Sequence, residues 1–239
     1  TKYNRSAQGQ DWNVDWSDSK WMNNYAFVSN DEAHSHDNSL RITYAPNQRT
    51  GGSAGWELPA EKEYYLSYWV KFENNFNFNG SKQSGGKLPG LAGAGGYCSG
   101  GQNCNGSNGF STRYMWREDG RVELYVYHMN KPTKWGENFW LEDKLGRDVY
   151  FEKGKWHNLI QRVKINDGSK SNGEVDVWMD GDRVLSLDGM KFVTNNKGID
   201  GLLFSSFHGG HSSDWYPDQT QHSYFDDFIV TTDASDVGL

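Results

Sequence analysis

Phe110-Ser-Thr-Arg-Tyr-Met-Trp116 and Val122-Glu-Leu-Tyr-Val-Tyr127 are the two stretches on which the reading of this chain turns. In the first, odd positions carry Ser111, Arg113 and Met115 while even positions carry Thr112, Tyr114 and Trp116. In the second, Val122, Leu124 and Val126 alternate with Glu123, Tyr125 and Tyr127. A period of two sends one set to the core and the other to the open face of a sheet. The open face then carries a hydroxyl, a guanidinium and two phenols. Just upstream lies Gly85-Gly-Lys87-Leu-Pro-Gly-Leu91, which adds an amine. Such a face suits a charged, hydroxylated ligand. Arg and Tyr also serve as simple cross-strand pairs, so the pattern alone leaves both readings open.

Working outward, strand-like runs recur at Ser39–Tyr44, Glu63–Phe72, Phe110–Trp116, Arg121–His128, Trp156–Ile165, Glu174–Met179, Arg183–Leu187, Gly201–His208 and Ser223–Thr231. Asp180-Gly181 between two of them is a tight hairpin signal. No apolar period of 3.6 persists beyond about two turns. Short strands without a long helix predict an all-β, antiparallel two-sheet jelly-roll sandwich, with residues 1–239 as one domain. The glycine-rich stretch Gly85–Gly109 reads as a long functional loop over one sheet. It lacks the spacing and the Lys-Ser/Thr ending of a phosphate-binding loop.

Charge narrows the ligand. The chain carries 24 Lys and Arg against 31 Asp and Glu, a net −7, which argues against nucleic acid. Yet between Lys82 and Lys134 seven basic residues (Lys82, Lys87, Arg113, Arg117, Arg121, Lys131, Lys134) face only Glu118, Asp119 and Glu123. A basic window in an acidic chain points to an anionic ligand at one cleft. Aromatic residues make up 15% of the sequence, enough to fill a core and to stack on sugar rings.

The remaining candidates carry less. Cys98 and Cys104 are the only cysteines and can close a small ring, worth about 2 kcal/mol, which suits an oxidising compartment better than a zinc site. With no apolar run of membrane-spanning length and no signal peptide, the expectation is a secreted or periplasmic protein with no membrane contact. His34-Ser-His36 among Asp31, Glu32 and Asp37 reads as a solvated turn. Asp226-Asp227 leaves room for a structural calcium ion as a minor hypothesis. His208, ahead of Gly209-Gly210, either faces the cleft or marks an ordinary strand exit.

At these residues the sequence resembles the family 14 polysaccharide lyases, which include alginate lyases. The likeness rests on Gly86-Lys87-Leu-Pro-Gly-Leu91, Ser111-x-Arg113, Tyr125-x-Tyr127, Phe207-His-Gly-Gly210, Trp215 and Tyr224-Phe-Asp-Asp-Phe228. It is more distantly similar to family 20 glucuronan lyases around Lys-Leu-Pro-Gly. It spans roughly Tyr64 to Val230, and departs from the family pattern at the cysteine-bearing insert Tyr97–Ser107 and at His208.

A monomer is a separate expectation for the chain; the resemblance implies β-elimination on an acidic polysaccharide, alginate with mannuronate at the cleaved site. It implies Lys87, Ser111, Arg113, Tyr125 and Tyr127 as catalytic residues, with Gln83, Glu123 and His208 binding substrate. Lys87 and Arg113 would neutralise the uronate carboxylate and Ser111 would donate to it, as an oxyanion hole does. The two tyrosines would move the protons, a phenol near a cation ionising below its usual pKa. Lys87 is the alternative base if desolvated. No metal or organic cofactor enters this scheme. Two other readings stay open: a glucuronan lyase with the same site, and a carbohydrate-binding module without catalysis. Hydrolysis fits poorly, since a glycosidase wants two carboxylates about 5–10 Å apart and this face offers only Glu123.

Overall fold

The computed structural model describes residues 1–239. Two short helices, α1 (Arg5–Asp11) and α2 (Ser19–Tyr25), flank the first strands, and their N-caps Asn4 and Asp18 each accept a backbone N–H. The strands follow in chain order: β1 (Asn13–Ser17), β2 (Ala26–Ser29), β3 (Ser39–Tyr44), β4 (Gly51–Glu61), β5 (Glu63–Phe72), β6 (Gly86–Gly93) and β7 (Phe110–Trp116). Then come β8 (Val122–Tyr127), β9 (Glu137–Trp140), β10 (Trp156–Lys164), β11 (Gly173–Met179), β12 (Asp182–Met190), β13 (Ile199–His208) and β14 (Gln221–Thr231).

They form two seven-stranded antiparallel sheets, ordered β1-β4-β13-β6-β7-β8-β9 and β12-β11-β10-β5-β14-β3-β2. Neither sheet closes on itself, and the pair makes the jelly-roll sandwich that the strand pattern predicts. The predicted hairpin is present: Asp180 and Gly181 both take positive φ (53° and 88°) between β11 and β12, as a type I′ turn requires.

All nine predicted strands form, but five more join them: β1, β2, β4, β6 and β9. The consequential miss is β6. The stretch Gly85–Gly109 is not one loop, because Gly86–Gly93 is a fully buried central strand and only the remainder overhangs the sheet. Glycine and proline disguise it. Gly86 has no room for a side chain, since a Cβ there would lie 1.9 Å from the Trp116 ring. Pro89 sits where the register with both neighbouring strands shifts, between Lys87 and Gly90, so its missing N–H breaks no regular ladder.

The irregularity is repaired from the opposite sheet. Gln161 on β10 accepts from the Leu91 N–H (2.9 Å) and from Thr112 Oγ1 (2.8 Å), and donates to the Thr112 carbonyl (2.8 Å). Tyr68 on β5 donates to the Pro89 carbonyl. Around these ties lies a core of aromatic rings, with Trp56, Tyr68, Phe72, Tyr114, Trp116 and Phe204 among its largest members.

Because Gln161 satisfies three buried groups at once, Gln161→Leu should destabilise the protein by at least about 2 kcal/mol. A urea midpoint close to wild type would show that the bulge does not depend on this side chain.

Candidate active site

The open face of the first sheet forms the floor of a cleft of 1320 Å³. Cross-strand register assembles that floor. Phe207 on β13 pairs with Lys87 on β6, Lys87 with Met115 on β7, and Met115 with Glu123 on β8. The next row pairs Gly90, Arg113, Tyr125 and Asn138. The alternation read from the sequence holds: Tyr114, Trp116, Val122, Leu124 and Val126 enter the core, while Lys87, Arg113, Met115, Tyr125 and Tyr127 line the cleft.

Two cations on this floor have no carboxylate partner. Lys87 is 9% exposed, with Nζ 2.6 Å from the Met115 sulfur and 3.7 Å from the centre of the Tyr125 ring. A thioether is a weak acceptor and gives an ammonium little support. Burial pushes the Lys87 pKa well below that of a free lysine, and neighbouring Arg113 and Arg117 add to the effect. Arg113 reaches only Ser205 Oγ at 3.4 Å, and burial brings its pKa down to about 10 against the pull of Tyr127 and Tyr125. The other basic residues of the window are mostly neutralised: Arg117 by Glu123, Arg121 by Asp148 and Lys82 by Asp214. Of the basic residues in this window, Lys87 and Arg113 are thus the ones that line the cleft without a carboxylate partner.

Both phenols are fixed by backbone amides of glycines. Gly136 N–H donates to Tyr125 Oη at 3.0 Å, and Gly101 N–H donates to Tyr127 Oη at 2.9 Å. A Cβ at Gly136 would come within 2.8 Å of both rings, so only glycine brings its amide this close. Gly101 belongs to the ring closed by the Cys98–Cys104 disulfide, which packs against Met115, Tyr125 and Tyr127. The insert is thus part of the site rather than an appendage.

Four expectations need correction. Ser111 does not present its hydroxyl to the cleft: it is fully buried and donates to the Cys98 carbonyl at 2.8 Å, anchoring the disulfide loop. Glu123 is likewise buried, its carboxylate spent on Arg117 and on the Asn138 amide. Gln83 lies in an adjoining 420 Å³ recess with Lys82 and Trp140, not on the main floor. His208 points into the core, among Tyr44, Phe76 and Trp116, with Nε2 2.6 Å from Gln221 Nε2. Its strand neighbour Phe207 takes the cleft side.

The expected ionisation of the phenols also runs the other way for Tyr125. Burial raises its pKa and Tyr127 adds to the rise, outweighing the Gly136 amide and Arg113. The Asp226-Asp227 carboxylates are engaged by the loop between β2 and β3: Asp226 accepts the His34 N–H, and Asp227 contacts the His34 ring and accepts from the Ser35 hydroxyl. No group of three or more His, Cys, Asp or Glu side chains is arranged to hold a metal ion.

Several cleft residues carried no signal in the sequence. Arg49 enters from the loop before β4, Trp135 and Asn138 from around β9, and Trp215 from a short 3₁₀ turn after β13. Their positions depend on chain crossings that no local period encodes.

A cleft that cuts glycosidic bonds by hydrolysis brings paired free carboxylates to its floor, whereas here Glu123 is buried against Arg117, Glu137 at the rim is bonded to His128, and the floor presents an amine, a guanidinium and phenols. Fold and floor together suit a polysaccharide lyase better than a glycosidase. The chain belongs to polysaccharide lyase family 14, whose profile matches residues 25–228. Among solved structures, the family 14 alginate lyase from Aplysia kurodai is 29% identical, with a TM-score of 0.74 over 89% of each chain. The alginate lyase vAL-1 from Chlorella virus is 21% identical, with a TM-score of 0.75 over 95% of each chain. An endo-β-1,4-glucuronan lyase from Trichoderma reesei shares the fold at 14% identity and a TM-score of 0.60, over 94% of this chain and 93% of its own. No curated protein matches by sequence.

The inward placement of His208 has a pH signature. Burial lowers its pKa to about 3, so the folded state holds it neutral while the unfolded chain takes up a proton below about 6.5. The stability it contributes is therefore complete above that pH and is lost as pH falls towards 3. Between pH 7 and pH 5 the wild type should lose about 2 kcal/mol more than His208→Gln, read from urea titrations at each pH. Parallel losses in the two proteins would place the imidazole in contact with solvent.

Proposed function

We propose that this protein is an alginate lyase that cleaves by β-elimination and prefers mannuronate at the cleaved site. The observation that carries the proposal is the buried amine of Lys87 beside the guanidinium of Arg113, which has no ion-pair partner, in a cleft whose carboxylates are engaged elsewhere, Glu123 by Arg117 and Glu137 by His128. Membership of family 14 supports the lyase class, and the alginate lyases of similar structure support the substrate.

Elimination from a uronate requires loss of the C5 proton, which is weakly acidic while the adjacent carboxylate is charged. Arg113 remains a cation at neutral pH and meets that carboxylate, stabilising the enolate-like charge as it develops. Lys87, held towards its neutral amine by burial, removes the C5 proton. This takes up the alternative of a desolvated Lys87 as the base, in place of the tyrosine pair that the resemblance implied for both proton transfers.

Tyr125 presents its ring face to the Lys87 amine and stays protonated, so its role is to hold the base. Tyr127 accepts the Gly101 amide and keeps its own O–H free to protonate the departing O4 oxygen. The C5–H bond breaks towards Lys87, a C4–C5 double bond forms, and the C4–O4 bond breaks as O4 receives the Tyr127 proton. The Cys98–Cys104 disulfide fits an enzyme working outside the reducing cytosol, in keeping with a secreted or periplasmic site of action.

Incubation with polymannuronate, polyguluronate and glucuronan, followed by the ultraviolet absorbance of the unsaturated uronate ends, tests the reading. Polymannuronate should be cleaved fastest, and no signal from any polyuronate would remove the lyase assignment. Lys87→Ala and Tyr127→Phe should each lower kcat by at least about 10²-fold with melting temperatures near wild type. A large loss of stability in both would assign the residues to cross-strand packing. With Lys87 as the base, kcat/KM should fall as pH drops through its lowered pKa, and the residual activity of Lys87→Ala should lack that acid limb.

A further inference from the structure

Arg49 is the one cleft arginine that neither the reaction scheme nor an ion pair accounts for. It precedes β4, and its guanidinium carbon lies 4.5 Å from the centre of the Phe207 ring and 5.1 Å from that of Trp21. Phe207 is paired with Lys87 across β13 and β6, so Arg49 stands on the β13 side of the proposed base. The charges of Arg49, Lys87 and Arg113 are close enough to oppose one another.

Arg49 differs from the other arginines at this cleft in having no partner. Arg117 is clamped to Glu123, and Arg113 reaches Ser205. Arg49 makes no ion pair or hydrogen bond, and its Nε is buried without an acceptor. Burial lowers its pKa, while Asp18 and Tyr216 exert only distant attraction. Asp18 is already engaged as the cap of α2, accepting the Trp21 N–H. Leaving a partly buried guanidinium unpaired is unfavourable unless a ligand completes it. Two aromatic rings, tilted 56° to each other, flank the group at the edge of the cleft and leave its polar N–H groups without a protein acceptor, as a planar carboxylate ligand would require.

We infer that Arg49, braced on Trp21 and Phe207, forms a second carboxylate-binding site, which takes the uronate adjoining the one that loses its C5 proton. This inference rests on the polyuronate reading of the cleft. A polyuronate carries a carboxylate on every sugar, so a neighbouring residue entering the cleft brings its own charge. Arg113 and Lys87 are occupied with the reacting sugar, and Arg49 is the cation left to receive the next. Its contribution is to binding and not to the bond-breaking step.

The test compares wild type with Arg49→Met and Arg49→Lys, using tetramannuronate and its carboxyl-reduced, neutral counterpart. In steady-state cleavage of tetramannuronate, Arg49→Met should raise KM about ten- to hundredfold, with kcat within about threefold of wild type. Calorimetric titration in a Tyr127→Phe background should show the same loss of affinity for the charged tetrasaccharide and none for the neutral one. Arg49→Lys should fall between, keeping the charge without the fork.

Equal losses for the charged and neutral ligands, an unchanged KM, or a fall confined to kcat would each overturn the inference. If Arg49→Met does not fold, Arg49→Gln carries the same comparison. The two levels fail separately. A wild type that makes no unsaturated ends defeats the lyase reading, whereas an active wild type with Arg49→Met binding tetramannuronate normally defeats only the second site.

Discussion

A guanidinium without a counter-charge, beside an amine that burial turns away from its charged form, on a largely dehydrated sheet face, is the constraint around which this molecule is organised. Lys87 and Arg113 sit where water is mostly excluded and where no carboxylate answers them. That arrangement is unfavourable in the free protein, and it persists because the surrounding sandwich over-determines it. The floor strands are tied to the opposite sheet through Gln161 and Tyr68, and the aromatic core lies directly beneath. The strain of the site is thus balanced by packing elsewhere.

The same logic explains how neighbouring groups are disposed. Glu123 would neutralise Lys87 if it were free, but Arg117 and Asn138 hold it in the sheet. Met115 faces the amine with sulfur in place of oxygen, which leaves burial free to depress the lysine pKa. The phenols are held by amides from two separate loops, one of them stapled by the disulfide. An anionic sugar entering the cleft would supply the counter-charge that the protein withholds, so binding and activation draw on one electrostatic imbalance.

Much of this was legible in the chain. The period of two from Phe110 to Tyr127 placed Arg113, Tyr125 and Tyr127 on one face, since side-chain direction in a strand is a local property. It failed where the partner of a side chain decides its role. Ser111 lies on the correct face, yet its hydroxyl is consumed by a carbonyl of the insert. His208 is one position out of phase with Phe207, and a polar residue turned into an aromatic core is invisible until its partner Gln221 is placed. The β6 strand is hidden in the sequence because glycine and proline are, by local preference, loop formers. In this fold they are what a tightly stacked, bulged strand demands.

By itself, then, the sequence determined the sandwich, the alternating floor strands and the concentration of basic residues in one window, all of which follow from short-range periodicity and composition. Only the tertiary structure decided which charges are paired. It removed Arg117, Arg121 and Lys82 from the active potential, left Lys87 and Arg113 exposed to the ligand, and brought Arg49 in from a distant loop. The physical reason is that a charge acts through its distance to counter-charges and to water. Those distances are set by how strands far apart in the chain come to lie side by side.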